Sequence, residues 1–304
     1  MSRAPRSTWR SSRSRSNWGM NGCVTSEPIS APISTAAFID AHRNDDDAQL
    51  AAALVAHAGQ LALSMRDGGL DTLSTQRKTS VSDVVTEADH AAENFVAEVL
   101  DALRPADGVL GEEGHARASQ TGRTWVIDPV DGTYNFAQGS DYFCSALAVA
   151  EGDPAEGKAS IGAVHRPATN TTWLAANGQA WCDGERLGVL DAAHLSEKAL
   201  VTYLHPTFMG DEAVVGAWMR AVKDAATIRM MGAGSVDLAN IATGRMGGWL
   251  QHSVADWDWL PGKALIEAVG GLATKVDAGG VTWCVAGNPL LVEQVATRLV
   301  GHAA

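Results

Sequence analysis

Apolar residues recur at helical spacing from Asp47 to Arg66 through an alanine-rich stretch, which predicts a long helix with one face against a core. A second helix is predicted from Glu87 to Leu103, with Ala91, Phe95, Val96, Val99 and Leu100 on its inner side. Between them, TQRKTSVSDVVTEAD (75–89) is polar and lysine-bearing, and is expected to form a loop at the mouth of a site. Short β-type runs follow at Trp125–Ile127, Phe143–Val149, Ile161–His165 and Thr172–Ala175, and CDGERL (182–187) carries an Asp-Gly turn of hairpin type. Further on, strands at Leu200–Leu204, Thr227–Met230 and Gly248–Gln251 alternate with helices at Glu212–Val222 and Ser235–Thr243. Trp259–Val269 predicts a helix and Val281–Ala286 a strand. A closing helix follows, capped by Asn288 with Pro289 at its first position. The pattern contains no internal repeat, and its mixture of strands and helices predicts a layered α/β (α+β) fold.

Length and charge narrow the picture. The 304 residues are 46% hydrophobic, enough for one large domain, expected over 34–304 as two packed halves of about 34–195 and 196–304. No uninterrupted apolar stretch is read as long enough to span a bilayer, so no membrane partner is expected. A net charge of −12 argues against a general nucleic-acid surface. Cys23, Cys144, Cys182 and Cys284 are scattered without C-x-x-C spacing and read as reduced thiols of a cytoplasmic protein. The first thirty residues differ from the rest, with Arg3, Arg6, Arg10, Arg13 and Arg15, many serines and one acid, Glu27. They resemble a transit peptide or a nucleic-acid-binding arm. The preferred reading is a disordered tail over 1–33, with translation starting near Met20 as a variant of it.

The chemistry is concentrated in WVIDPVDGTYNF (125–136), where an apolar run ends in Asp128 and Asp131 and passes at once into Gly132 and Thr133. A buried strand stopping at Asp-Pro and turning through Asp-Gly-Thr can aim both carboxylates at one point. The glycine permits close backbone approach, and the following N–H groups can meet an anion. Hard cations such as Mg²⁺ take carboxylates, waters and a substrate phosphate. Glu112 and Glu113 lie in GVLGEEG, and Asp256 and Asp258 in DWDWLPG, each pair beside an apolar element. Three acidic clusters of this kind suit a two-metal phosphatase, in which one cation activates water and another stabilises the leaving oxygen. The DxDxT signature of aspartyl-phosphate enzymes is absent.

In order and spacing, GEE, IDPVDGTYNF, WD followed by an apolar stretch and Gly-Gly, and the supporting KTSVSDVVTEAD (78–89) resemble the inositol monophosphatase family over roughly residues 48–300. The resemblance implies an αβαβα sandwich with the site between its halves, a lithium-sensitive Mg²⁺-dependent phosphatase using two to three ions, and a homodimer. It further implies that Glu112 holds one cation and orients or deprotonates the attacking water. Asp128 bridges two cations, and the Val130 carbonyl adds a neutral ligand. Asp131 and Asp258 complete a second site, and Asp89 lies near a weaker third. Thr133 would hydrogen-bond the nucleophilic water while the N–H groups of 132–133 hold phosphate oxygens, and Lys78 matches a lysine near the site. Glu113 and Asp256 are left as neighbours or solvated acids.

Gly232, Ala233 and Gly234, in MGAGSVDLANIATGR, resemble the family's substrate-side turn. Seven residues before Asp258, where family members acting on inositol phosphates carry glutamate, this chain has Gln251, which can meet hydroxyls but offers no charge to an amine. RPADGVLGEEG (104–114) is similar instead to histidinol-phosphate phosphatases of the family. Inositol monophosphate is therefore expected narrowly ahead of histidinol phosphate, with 3′(2′),5′-bisphosphate nucleotides and fructose 1,6-bisphosphate behind. A binding or regulatory role, or a nucleic-acid role through the arginine arm, is the non-enzymatic alternative.

Overall fold

Asp46 accepts the Gln49 N–H while the Gln49 side chain accepts the Asp46 N–H, and this reciprocal cap starts the longest helix among the described residues. A computed structural model describes the backbone over 33–68, 75–77 and 84–301, with side chains over 33–68 and 87–301. Helices α1 (Thr35–His42) and α2 (Asp47–Asp67) precede a two-stranded antiparallel pair, β1 (Thr75–Arg77) with β2 (Val84–Thr86), and α3 (Glu87–Leu103) follows.

An eight-stranded sheet comes next. It contains β3 (Gly108–Gly111), β4 (Ala116–Arg117), β5 (Arg123–Asp131), β6 (Cys144–Glu151), β7 (Ala159–Arg166), β8 (Thr171–Ala176), β9 (Gln179–Cys182) and β10 (Glu185–Arg186), in the order β10-β9-β8-β7-β6-β5-β3-β4. Only β3 and β5 pair in parallel. The short α4 (Thr133–Ala137) sits between β5 and β6. The second sheet has β11 (Ala199–Tyr203), β12 (Thr227–Arg229), β13 (Gly248–His252), β14 (Leu272–Ala278) and β15 (Val281–Gly287), in the order β12-β11-β13-β15-β14. Helices α5 (Glu212–Val222), α6 (Gly234–Ala242), α7 (Asp256–Ala268) and α8 (Pro289–Val300) are interleaved with it.

Side-chain alternation along the strands sorts these elements into layers. One face of the large sheet, with Trp125, Ile127, Leu147 and Val149, packs on Leu50, Leu54, Phe95 and Val99 of α2 and α3. The opposite face, with Val126, Ala146 and Ala148, shares a core with Val236 and Leu238 of α6 and with Leu260 and Leu265 of α7. Trp249 and Ala286 of the second sheet close that core from the other side. Leu200, Leu250 and Val285 then face Val214, Ala217, Val292 and Val295 of α5 and α8. The result is helix, sheet, helix, sheet, helix, the layered αβαβα architecture that the family resemblance implies.

Most predicted elements are present, several longer than expected because burial of both faces hides where a strand ends. The segment 75–89, expected as a loop, instead carries β1 and β2 and the first turn of α3, since β-branched Val84 and Val85 favour pairing. Helix α1 and edge strand β14 were not predicted. The first is a single short amphipathic stretch, and the second is half-exposed along its length. The apolar run of α2 is interrupted by His57, Gln60 and Ser64, as expected of a chain without a long uninterrupted apolar stretch. By length and composition α2 is apolar enough to cross a membrane, but Leu50, Ala51, Leu54, Val55 and Ala58 are buried in the core. Asp183 and Gly184 both take left-handed backbone, as a two-residue turn between twisted strands demands. Cys144, Cys182 and Cys284 are free thiols. Lys78, Cys23 and the tail as far as residue 32 lie outside the described residues.

Helix α7 lies directly on the large sheet where Gly162 of β7 has no side chain. A Cβ there would meet the Pro261 carbonyl and stand 2.7 Å from the Ala264 Cβ. Gly162→Ala should therefore destabilise the protein by about 1–3 kcal/mol through overpacking, measured by urea unfolding. An unchanged midpoint would show that α7 can shift freely.

Candidate active site

Asp128 and Asp131 are three residues apart in one strand and nevertheless share a face. In a regular strand an odd separation sends two side chains to opposite faces. In β5, Asp128 pairs with Ala146 but Asp131 with Cys144, so three residues on one strand span two on its neighbour. This bulge inserts one residue at Pro129-Val130, where proline could not donate to the ladder in any case. Both carboxylates thus turn toward the α6/α7 layer, on the side of Ala146 and Cys144.

Helix α7 supplies the third carboxylate. Asp256 and Asp258 both lie in its first turn, which favours negative charge, but they stand about 200° apart around the axis. Only one can face the bulge. Asp256 lies 3.9 Å from Lys275, while Asp258 offers an oxygen that, with oxygens of Asp128 and Asp131, forms a group within 4.8 Å of one another.

Three carboxylates this close repel by roughly 3 kcal/mol per pair at an effective dielectric of 20. Burial, then the charges of Glu112, Asp131 and Asp258, push Asp128 well above the usual carboxylate range. Asp258 is likewise raised well above it by burial and then by Asp131 and Glu112. Asp131 is raised by burial and pulled back by hydrogen bonds from α6, the Gly234 N–H at 3.1 Å and the Ser235 N–H at 2.5 Å. Both Asp128 oxygens are buried and, the neighbouring carboxyl of Asp258 aside, meet no hydrogen-bond donor among the described residues. Buried carboxylates short of donors are what a hard divalent cation satisfies, so the donor set fits a metal.

Glu112 reaches this centre from the turn after β3. Its N–H donates to the Ile127 carbonyl (3.2 Å), and its charge acts on both Asp128 and Asp258. Gly132 has φ +94°, a left-handed conformation suited to glycine, and a Cβ there would stand 3.0 Å from the Ala233 Cβ and 3.1 Å from the Gly232 carbonyl. The phosphate-side turn and the substrate-side turn therefore touch. Thr133 Oγ1 donates to the Val130 carbonyl (3.0 Å) and lies 3.4 Å from Asp89 Oδ1, a fully buried carboxylate on α3. Gln251, one residue before the end of β13, is in register with Tyr203 of β11, and both face the α6/α7 layer. The Tyr203 hydroxyl is raised in pKa by burial and then by Tyr134, the exposed residue after Thr133.

Some residues that hold the site were not foreseen. Asn135 Nδ2 donates to the carbonyls of Tyr142 (2.9 Å), Met231 (2.7 Å) and Gly232 (3.2 Å), tying the two turns together. Tyr142 Oη donates to Asp237 (2.6 Å), whose carboxyl burial pushes up to about 8, the bond lowering it and Asp131 adding to it. Cys144 Sγ lies 3.8 Å from Asp131. Buried Arg66 grips the Ser140 carbonyl and Asp141 and lies over Phe136 and Phe143. Asn135 was open to detection, since it lies within the motif itself and a side-chain amide can bond backbone groups. Burial of the others has no local sequence signal.

A layered αβαβα chain with three convergent carboxylates, under the charge of Glu112 and beside a glycine-threonine turn, defines a metal-dependent phosphatase class. The Inositol monophosphatase family model matches residues 44–301, and the chain belongs to that family. It is 34% identical over 275 residues to a histidinol-phosphatase of Mycobacterium tuberculosis (strain H37Rv), covering 84% of this chain and 98% of that protein. It is 34% identical over 202 residues to an inositol-1-monophosphatase of Rhizobium meliloti, covering 66% and 74%. The crystal structure of the extragenic suppressor protein suhB from Bartonella henselae superposes with a TM-score of 0.73 at 23% identity, over 89% of this chain and 100% of that one, a likeness of fold.

The raised carboxylates give a pH dependence whose sign follows from linkage. A carboxyl with a folded pKa above its unfolded value contributes stability below about pH 4 that declines as pH rises toward the folded value. Metal-free protein should thus lose stability on that account as pH rises, and Asp128→Asn should lose less. Thermal melts in EDTA from pH 5 to 8.5 should show the gap in favour of Asp128→Asn widening with pH. A constant gap would mean the cluster is not strained by its own charge.

Proposed function

We propose that the protein is a Mg²⁺-dependent phosphomonoesterase acting on a small phosphorylated alcohol, with inositol monophosphate as the leading substrate. The observation that carries the reaction class is the buried Asp128, short of hydrogen-bond donors and held beside Asp131 and Asp258. The residues that would hold cations are Glu112, Asp128, Asp131, Asp258 and the Val130 carbonyl, with Asp89 close to Thr133. When bound, divalent cations supply neutralisation of the phosphate dianion and acidification of the attacking water.

The chain's own groups account for the rest. Thr133, with its proton donated to the Val130 carbonyl or to Asp89, leaves an oxygen lone pair to accept from a water and so aim it. Glu112 stands as the carboxylate that orients that water or takes its proton. The first N–H groups of α4 have no intrahelical acceptor and are suited to phosphate oxygens, behind a glycine that adds no Cβ. The proton required by the leaving alkoxide comes from water. Gln251, beside Tyr203, offers both a donor and an acceptor to a hydroxylated alcohol and no charge.

Histidinol phosphate is the second reading, favoured by the match to the M. tuberculosis histidinol-phosphatase over 98% of that protein. Phosphate release from inositol 1-phosphate, histidinol phosphate, 3′-phosphoadenosine 5′-phosphate and fructose 1,6-bisphosphate, with Mg²⁺ and then with EDTA, separates them. Inositol 1-phosphate should lead and all activity should vanish in EDTA. A lead for histidinol phosphate moves the substrate, and no turnover of any ester overturns the enzymatic reading.

Asp128→Asn should lower kcat at least about a hundredfold in a folded protein, since even partners of metal ligands cost about 10–100-fold; a variant retaining most activity would sink the scheme. Gln251→Ala should raise KM about five- to tenfold, the worth of one hydrogen bond, with kcat little changed. An unchanged KM would remove Gln251 from the alcohol side.

A further inference from the structure

The turn that delivers Glu112 is folded around a buried charge. Glu93 of α3 has no exposed surface, and both its oxygens are used: Oε2 accepts the Glu113 N–H (2.8 Å) and Oε1 the His115 N–H (2.9 Å). The His115 ring Nδ1 stands 3.4 Å from the same Oε1. Around this carboxylate the backbone closes on itself, with the Gly111 N–H donating to the His115 carbonyl (2.8 Å) and Gly114 at φ +113°. A Cβ on Gly111 would run into the Glu93 carboxylate, standing 2.7 Å from Oε1. The turn is thus a concave set of amides whose anion is supplied by the protein itself.

Glu112 is then held from two sides. Its own N–H is fixed to Ile127 of β5, one residue before Asp128, and the next N–H is fixed to Glu93. Glu93 lies four residues after Asp89 on the same helix, so one face of α3 meets both groups assigned to the attacking water. Asp89 meets Thr133, and Glu93 meets the Glu112 turn.

We infer that Glu93 is a positioning residue that fixes Glu112 at the cation centre through the amides of Glu113 and His115. The inference rests on the metal-phosphatase reading of the site. Glutamate is specified by two requirements. Aspartate on the same helix turn would fall short by one methylene. Glutamine would turn an N–H₂ toward one of two N–H donors, breaking one bond and repelling the other group.

The test uses the whole chain. In metal-free protein, hydrogen exchange should show the amides of Glu113 and His115 both protected in the wild type and one of the two unprotected in Glu93→Gln, with the helices unchanged. Isothermal titration with Mg²⁺ alone should show affinity about tenfold or more weaker in Glu93→Gln, as for other residues that orient metal ligands. Gly111→Ala, which crowds the same carboxylate from the turn side, should reproduce both effects and serves if Glu93→Gln does not fold. A purely structural anchor would lower the melting temperature and leave Mg²⁺ affinity alone. Wild-type Mg²⁺ affinity in a folded Glu93→Gln or Gly111→Ala overturns the inference. A wild-type chain that binds no Mg²⁺ at all overturns the reading of the site instead.

Discussion

The structure depends on holding together carboxylates that repel one another. Asp128, Asp131 and Asp258 converge within 4.8 Å, and Glu112 adds its charge from a third segment. Nothing in a core of alanine, leucine and tryptophan favours such a gathering, so each member is restrained by its backbone. A bulge fixes the two on β5, the first turn of a helix seated on Gly162 fixes the third, and a turn wrapped on Glu93 fixes the fourth. The core stabilises these supports, and the stored repulsion becomes affinity for whatever brings positive charge.

Much of this was legible in the chain itself, and the reasons differ by residue. Asp128, Asp131, Gly132 and Thr133 announce themselves because an apolar strand ending in acids and glycine has few other uses. The choice of Asp258 over Asp256 follows from the family resemblance, and helix geometry gives it a physical basis, two residues being too few to share a face. The bulge is not legible as such, since a one-residue insertion leaves no mark beyond the proline. Glu93 was invisible for a different reason: a glutamate in a helix reads as a solvated charge until burial and the two amides above it are known. Strands β1, β2 and β14 escaped because they are short or half-exposed, which blurs the alternation on which strand prediction rests.

The site also separates two problems that a phosphatase must solve. Cation and phosphate handling falls to segments whose chemistry is set by charge and backbone, which leaves little room for variation. In the proposed function the alcohol side falls to Gln251, in register with Tyr203, and to the Gly232–Ala233 turn, where a change of side chain would alter what is recognised without touching the carboxylates. Relatives named for inositol 1-phosphate and for histidinol phosphate chemistry can therefore share one family and still differ in substrate.

The single amide of Asn135 that ties the two turns together has a consequence for how the chain comes to exist. Its partners Met231 and Gly232 lie 96 and 97 residues further on, and the amides of α6 that hold Asp131 lie 103 and 104 residues beyond it. Asp258 comes later still. A chain growing from its N-terminus thus completes β5 and the whole first sheet long before the ligand set exists. Contacts of such sequence separation require long loops to close first. The carboxylate cluster is in this sense made late, and its formation reports that β5 and the α6/α7 layer have come together.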